Sequence, residues 1–206
     1  MSKRKQIRFQ KKTEEEKDET SPINYTNTGS LVVNKFLRSG EKTNSSVRIS
    51  PNGYSNKEKI NLSNYKLKKT LGISSLNGGV ELLENEKKEK IIVKTIKIDP
   101  TKAKEILSEI EVLQTCDNPQ IVCLKNAFLE EKRIKLILEY MDCGSLDKII
   151  EFYFDQKKET LSEVYISKIT KKILKGLSYL HNDRKTIHRD LKPHNILVNS
   201  QGHIKV

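Results

Sequence analysis

His188-Arg189-Asp190-Leu191-Lys192-Pro193-His194-Asn195 is the stretch on which the reading of this chain turns. It meets every fixed position of the pattern H-R-D-L-x-x-x-N. A hydroxyl that accepts a phosphoryl group needs a carboxylate within hydrogen-bond reach, which Asp190 supplies. A Mg²⁺ ion held against phosphates needs a further oxygen ligand, and Asn195, five residues on, reaches the same side of one loop. Lys192 offsets charge on the transferred group. The plainer alternative is a polar loop after a helix, which has no reason to satisfy five fixed positions at once.

Before that loop, Leu161–Leu180 has helical periodicity, with Ile166, Ile169, Ile173, Leu177 and Leu180 on the inward face. After it, Asn199-Ser200-Gln201-Gly202 signals a hairpin. Further upstream, strands are expected at Tyr65–Leu71, Val80–Leu83, 91–98, Ile121–Leu124 and Ile134–Tyr140. Asp99-Pro100 opens a helix as N-cap and first-turn proline, Ile106, Ile110 and Leu113 share its face, and Asp117-Asn118-Pro119 ends it. Gly144-Ser145 begins a short helix. Five strands with one helix, then mainly helix, make an α+β layout with two packed regions.

Three weaker motifs precede the loop. Lys94, in Ile91-Ile92-Val93-Lys94, reads alone as a surface lysine on a strand. Glu109 on the following helix is placed to pair with it and aim its ammonium at nucleotide phosphates. Leu71-Gly72-Ile73-Ser74-Ser75-Leu76-Asn77-Gly78-Gly79-Val80 is a degenerate glycine-rich loop. Its main-chain N–H groups suit phosphate, with Gly72 first and Gly78 or Gly79 last, although a plain hairpin turn explains it equally well alone. In Leu136–Leu146 an apolar strand runs into a short polar connector. Its main-chain groups suit an adenine edge, with Leu138 setting the pocket depth. By itself that stretch is an edge strand with a turn.

Composition sets the outer limits. Of 206 residues, 35% are hydrophobic and 32% charged, polar enough to expect an unstructured stretch. Lys3–Tyr25 fits it, 31–37 has strand character, Ser50-Pro51-Asn52-Gly53 signals a turn, and Ser55–Lys59 reads as a linker. Residues 1–60 thus form a mostly disordered leader, with folding expected from Tyr65. The net charge of +12 is spread: residues 1–60 carry 13 Lys+Arg against 7 Asp+Glu, and the remainder carries 26 against 20. That distribution argues against a nucleic-acid stripe, and no nucleic-acid partner is expected. No run is long and apolar enough for a membrane span, and the basic N-terminus lacks the apolar core of a secretory signal. Cys116, Cys123 and Cys143 lack metal-ligand spacing and read as reduced thiols of a cytoplasmic or nuclear protein.

Taken together, these residues resemble a eukaryotic protein kinase, and most closely a mitogen-activated protein (MAP) kinase kinase. Glu139-Tyr140-Met141-Asp142 with Gly144-Ser145-Leu146 is similar to that family's hinge, with Cys143 where Gly is usual. Ile106–Leu113 resembles its regulatory helix, and Ile187–Leu197 with Val198-Asn199-Ser200 its catalytic loop and following strands. The likeness runs from about Tyr65 to Val206. It implies a bilobal fold, with a five-stranded N-lobe carrying one regulatory helix and the start of a C-lobe. It also implies ATP and Mg²⁺ as cofactors. Asp190 would be the catalytic base, Lys192 a γ-phosphate contact, Lys94 and Glu109 the ion pair, and Asn195 the metal ligand. The nucleotide would lie against Leu71, Gly72, Gly78, Gly79, Val80, Lys94, Leu138, Glu139, Met141, Ser145, Asn195 and Leu197, with Glu139 and Met141 acting through their backbones. The implied partners are a MAP kinase substrate, phosphorylated on Thr and Tyr, and an upstream MAP kinase kinase kinase. Lys3, Arg4, Lys5, Ile7 and Phe9 resemble a docking peptide for the substrate, and read equally as a generic basic terminus or a nuclear localisation patch.

Ile92 departs from the small residue usual above the base. By the same likeness, Ile204-Lys205-Val206 leads toward Asp-Phe-Gly, which lies past Val206. The 206-residue chain is therefore expected to transfer no phosphate, to expose part of the apolar face of helix 161–180, and to be poorly soluble. A non-catalytic module that binds a MAP kinase is the alternative function. A basic nucleic-acid binder has only the net charge behind it.

Overall fold

The structure, a computed structural model, describes residues 60–74, 78–99, 101, 103–130 and 133–206, together with the backbone of three earlier strands. Those strands are β1 (Ile23–Tyr25), β2 (Leu31–Phe36) and β3 (Lys42–Ile49), antiparallel in the order β1-β2-β3. β2 falls on the strand expected over 31–37. Ile23–Tyr25 belongs to the stretch expected to lack structure, and is instead β1, paired Ile23↔Val33 and Tyr25↔Leu31. Ile and Tyr favour extended pairing once a partner strand is present. The docking-like peptide 3–9, the turn at 50–53 and the linker 55–59 lie outside the described residues.

β4 (Tyr65–Ser74), β5 (Gly78–Asn85), β6 (Lys90–Lys97), β7 (Leu124–Glu130) and β8 (Arg133–Glu139) form an antiparallel sheet in the order β4-β5-β6-β8-β7. β6 is central and buried on both faces, which is why its sequence is an almost continuous β-branched run. On one face Ile91, Val93 and Ile137 pack under Ile60, Leu62, Tyr65, Leu83 and Phe128. On the other, Ile96, Ala127, Leu129, Ile134 and Leu136 pack against Ile106, Leu107 and Ile110 of α1 (Ala103–Thr115).

Several boundaries differ from the sequence reading, and Gly144-Ser145, read as the beginning of a helix, is instead a two-residue strand paired with Val198 and Leu197, the helix starting at Leu146. The Asp99 carboxylate accepts from the Thr101 N–H (2.9 Å) and hydroxyl (2.7 Å), and α1 starts only at Ala103. Asp99 therefore closes an Asx turn ahead of the helix, because a short acidic side chain bonds as readily to a residue two positions on as to a helical N–H. The strand expected at Ile121–Leu124 is β7, which begins at Leu124. Ile121 is buried in a second core instead, and Val122 N–H donates to the Val206 carbonyl (3.1 Å). A four-residue apolar run carries no signal that separates these two fates.

That second core joins Ile121, Leu146, Leu180, Ile196, Ile204 and Val206, with Ile169 and Ile173 packed against it. It is built from α2 (Leu146–Phe152), α3 (Glu163–Asn182) and a small antiparallel sheet of β9 (Gly144–Ser145), β10 (Leu197–Val198) and β11 (Ile204–Lys205), in the order β11-β10-β9. Leu113, in the last turn of α1, touches both cores. At Gly176 of α3, a Cβ would lie 3.1 Å from a Val206 methyl and 3.2 Å from the Gln120 carbonyl oxygen. Glycine there lets helix and strand meet closely. Ile169, Ile173 and Leu180 face inward as expected. Ile166 is exposed, because among the described residues nothing covers the first turns of α3.

Candidate active site

The eight residues that opened the reading form an irregular loop between α3 and β10, closed by a 3-10 turn at Pro193–Asn195. Arg189 sits at φ +66°, a left-handed conformation that is costly for a residue with a Cβ, and the Asp190 N–H returns to the His188 carbonyl at 2.9 Å. The reversal leaves the Asp190 side chain 63% exposed at the surface of the site. Asn195 Nδ2 donates to the Asp190 carbonyl and to Asp190 Oδ2, both at 2.8 Å, and Lys192 Nζ lies 3.0 Å from Oδ2. The Lys192 hydrogen bond, then that of Asn195, holds the Asp190 carboxyl below its ordinary range. The three polar residues read from the motif are thus brought together on one carboxylate. With its amide donors spent on Asp190, Asn195 keeps its oxygen as a hard ligand that suits Mg²⁺.

In the sheet, Val80 pairs with Lys94, and Lys94 with Leu136, while Ile92 pairs with Leu138. These residues alternate onto the face that α1 covers farther along. Lys94 Nζ lies 3.8 Å from Glu109 Oε1 of α1, the side chains being 30% and 54% exposed. The pair expected from separate elements is therefore present. Below the sheet, Ser145 pairs with Leu197, and both Ser145 and Met141 are buried. The structure thus offers an apolar sheet face, the Lys94 ammonium beside Glu109, and a carboxylate–amide–ammonium cluster at Asp190.

Those groups are ones a phosphoryl-transfer site requires, and residues 65–206 match the protein kinase domain family. The chain belongs to the protein kinase family. It is 40% identical over 157 residues to the dual specificity mitogen-activated protein kinase kinase dSOR1 of Drosophila melanogaster, an alignment covering 74% of this chain and 38% of that relative. It is 34% identical over 152 residues to mitogen-activated protein kinase kinase 2 of Arabidopsis thaliana, covering 72% of this chain and 40% of the relative. The chain therefore spans well under half the length of these relatives.

Within this kinase domain the glycine-rich stretch is the hairpin β4–β5, with Gly72 opposite Val80 and Ser74 opposite Gly78. Residues 75–77 at its tip lie outside the described residues. Gly78 is required by packing, because a Cβ there would overlap the Thr95 carbonyl of β6, whereas Gly72 and Gly79 have open space. Leu71 is exposed on β4. The Glu139 N–H is already donated to the Cys123 carbonyl (3.1 Å), so a main-chain donor to a base falls to Met141.

Sequence reasoning missed the side chains that brace this kinase site. Glu139 Oε1 accepts from the Cys123 N–H and from Lys205 Nζ, both at 2.6 Å. Asp142 bonds Ser200, and His194 Nδ1 lies 2.9 Å from Asp147 Oδ2 of α2. The Tyr179 hydroxyl binds the Asp117 N–H (3.0 Å) and Arg184 Nε (2.8 Å), fastening α3 to the segment after α1. Four of these contacts, Asp147 with His194, Asp142 with Ser200, Glu139 with Lys205 and Asp117 with Tyr179, join residues 47 to 66 positions apart and leave no local pattern to read.

Proposed function

We propose that this protein is an ATP-dependent kinase of the MAP kinase kinase type, one that in its complete form moves the γ-phosphate of ATP to Thr and Tyr of a MAP kinase. The observation that supports this most is the cluster of Asp190, Lys192 and Asn195 on one loop, with Lys94 and Glu109 paired across the sheet. The relatives' names point to the same substrate class. Asp190, ionised at neutral pH, accepts the acceptor hydroxyl's proton as its oxygen attacks phosphorus. Lys192 meets the negative charge that develops on the phosphoryl oxygens, and Lys94, steadied by Glu109, orients the phosphates farther from the attack. Mg²⁺, held through Asn195, would neutralise phosphate charge.

Among the described residues no group of three or more His, Cys, Asp or Glu side chains could hold a metal. The 206-residue chain alone is expected to bind nucleotide without turning it over. An upstream kinase, docking through residues 3–9, and a cytoplasmic or nuclear location belong to the same reading.

The test expresses the protein from its natural gene and measures transfer of labelled phosphate from MgATP to a catalytically dead MAP kinase. Labelling of both Thr and Tyr that disappears with Asp190→Asn is the expected result. A complete protein that labels no MAP kinase, while binding one, would favour a non-catalytic binding module.

A further inference from the structure

The connector from Glu139 to Ser145 is gripped from one side by a single hairpin. The Asp142 carboxylate accepts two bonds from Ser200, from its N–H to Oδ1 (2.7 Å) and from its hydroxyl to Oδ2 (2.6 Å). Ser200 stands on the turn between β10 and β11, which is itself closed by Asn199 N–H to the His203 carbonyl (3.1 Å), Gly202 N–H to the Asn199 carbonyl (2.9 Å) and His203 N–H to Asn199 Oδ1 (2.9 Å). The next residue of the connector repeats the contact, with Cys143 N–H donating to the Val198 carbonyl at 3.2 Å. Three residues before Asp142, Glu139 holds the other end of the same hairpin through Lys205, a pair only 22% and 13% exposed. Two carboxylates on one short connector thus straddle Met141 and fasten it to the strands that directly follow the Pro193–Asn195 turn.

The Ser200 hydroxyl and N–H hold the Asp142 carboxyl below its ordinary range, so at neutral pH the acceptor carries full charge and both bonds are charge-assisted. The turn needs nothing from Asp142 to close, since its own bonds already do so. Gly144 and Ser145 already pair with Val198 and Leu197, so what the two hydrogen bonds add is a second hold at Asp142, the residue next to Met141.

We propose that Asp142 is a positioning residue for nucleotide binding, which by gripping Ser200 sets the Met141 main chain at the distance from the catalytic loop that one nucleotide spans. The proposal rests on the kinase reading above and names a side chain that this reading does not use. The base edge and the phosphate chain are met at once only if connector and loop keep that spacing. A ligand with phosphates and no base makes no such demand.

The 206-residue chain is titrated calorimetrically with MgATP and with magnesium tripolyphosphate, as parent, Asp142→Ala, Ser200→Ala, the double variant and Ser200→Thr. Asp142→Ala removes both bonds and should weaken ATP binding about tenfold, whereas Ser200→Ala removes the hydroxyl bond and keeps the main-chain N–H, and should weaken it about threefold. The double variant should be no weaker than Asp142→Ala alone, because that substitution already removes both bonds. Tripolyphosphate affinity should stay within about twofold, and Ser200→Thr, which keeps both donors, should bind ATP as the parent does. Unchanged ATP affinity in Asp142→Ala overturns the proposal. So does a parallel loss of both ligands, the mark of a merely structural role. A parent that binds tripolyphosphate but not ATP overturns the nucleotide reading itself, and the proposal with it.

Discussion

Asp190 is exposed, yet its carboxyl titrates low, and the cause is local: Lys192 and Asn195 bond its ionised form. The sign follows directly. A carboxyl whose folded pKa is depressed contributes stability that is fully present above its unfolded pKa of about 3.9, and loses it as pH falls through the folded value. Replacing Lys192 with Met removes the largest cause, so the Asp190 titration followed by carboxyl ¹³C NMR should move up toward the ordinary range. No movement would mean that the ammonium does not act on this carboxylate in solution. Lys94 and Glu109 illustrate a different balance. A half-exposed pair at 3.8 Å is worth only about 0.2–1 kcal/mol to folding. Glu109→Gln should therefore leave the unfolding midpoint nearly unchanged, while in the complete enzyme it lowers phosphoryl transfer at least about tenfold through lost orientation. Thermal denaturation and initial rates on the same preparations separate the two effects.

The hairpin β4–β5 makes its own prediction at the scale of the element. Gly72→Ala and Gly79→Ala meet open space, whereas Gly78→Ala drives a methyl into the backbone of β6. The first two should change stability by less than about 0.5 kcal/mol, and Gly78→Ala should cost about 1–3 kcal/mol in a urea titration. Equal costs at all three positions would contradict the register of the hairpin. On α1, Ile110 is wholly buried against β6, β7 and β8, and Ile110→Ala should cost about 2–5 kcal/mol. These elements also show how far the sequence could be read. The β-branched run of β6 and the 3.6-residue spacing of Ile106 and Ile110 are periodic signals, and both gave the right element. The start of α1 and the start of β7 were misplaced by a few residues. Each depended on a choice between two satisfactory bonding arrangements, one of which involves Val206, more than eighty residues away.

Across the whole molecule, two cores meet at Leu113 of α1, and the connector runs from Leu138, packed on one, to Leu146, buried in the other. Val164, Tyr165, Ile166 and Leu174 of α3 are exposed, as expected for that helix, beside a shallow groove of about 560 Å³ that includes Lys171 and Lys175. Exposed apolar side chains clustered on one helix favour self-association. Sedimentation of the 206-residue chain should show concentration-dependent oligomers that Ile166→Lys with Leu174→Lys disperses. A monomer at every concentration would contradict that expectation. No helix among the described residues is long and apolar enough to cross a membrane. The sequence by itself determined the strands of the sheet, the two main helices and the loop that carries Asp190, because each is written in neighbouring residues: period two, period 3.6, or a motif eight residues long. Only the tertiary structure decided which charges brace the site. Asp142 finds Ser200, Glu139 finds Lys205, and His194 finds Asp147 across dozens of residues, and a hydrogen bond depends on separation in space, which sequence spacing does not record.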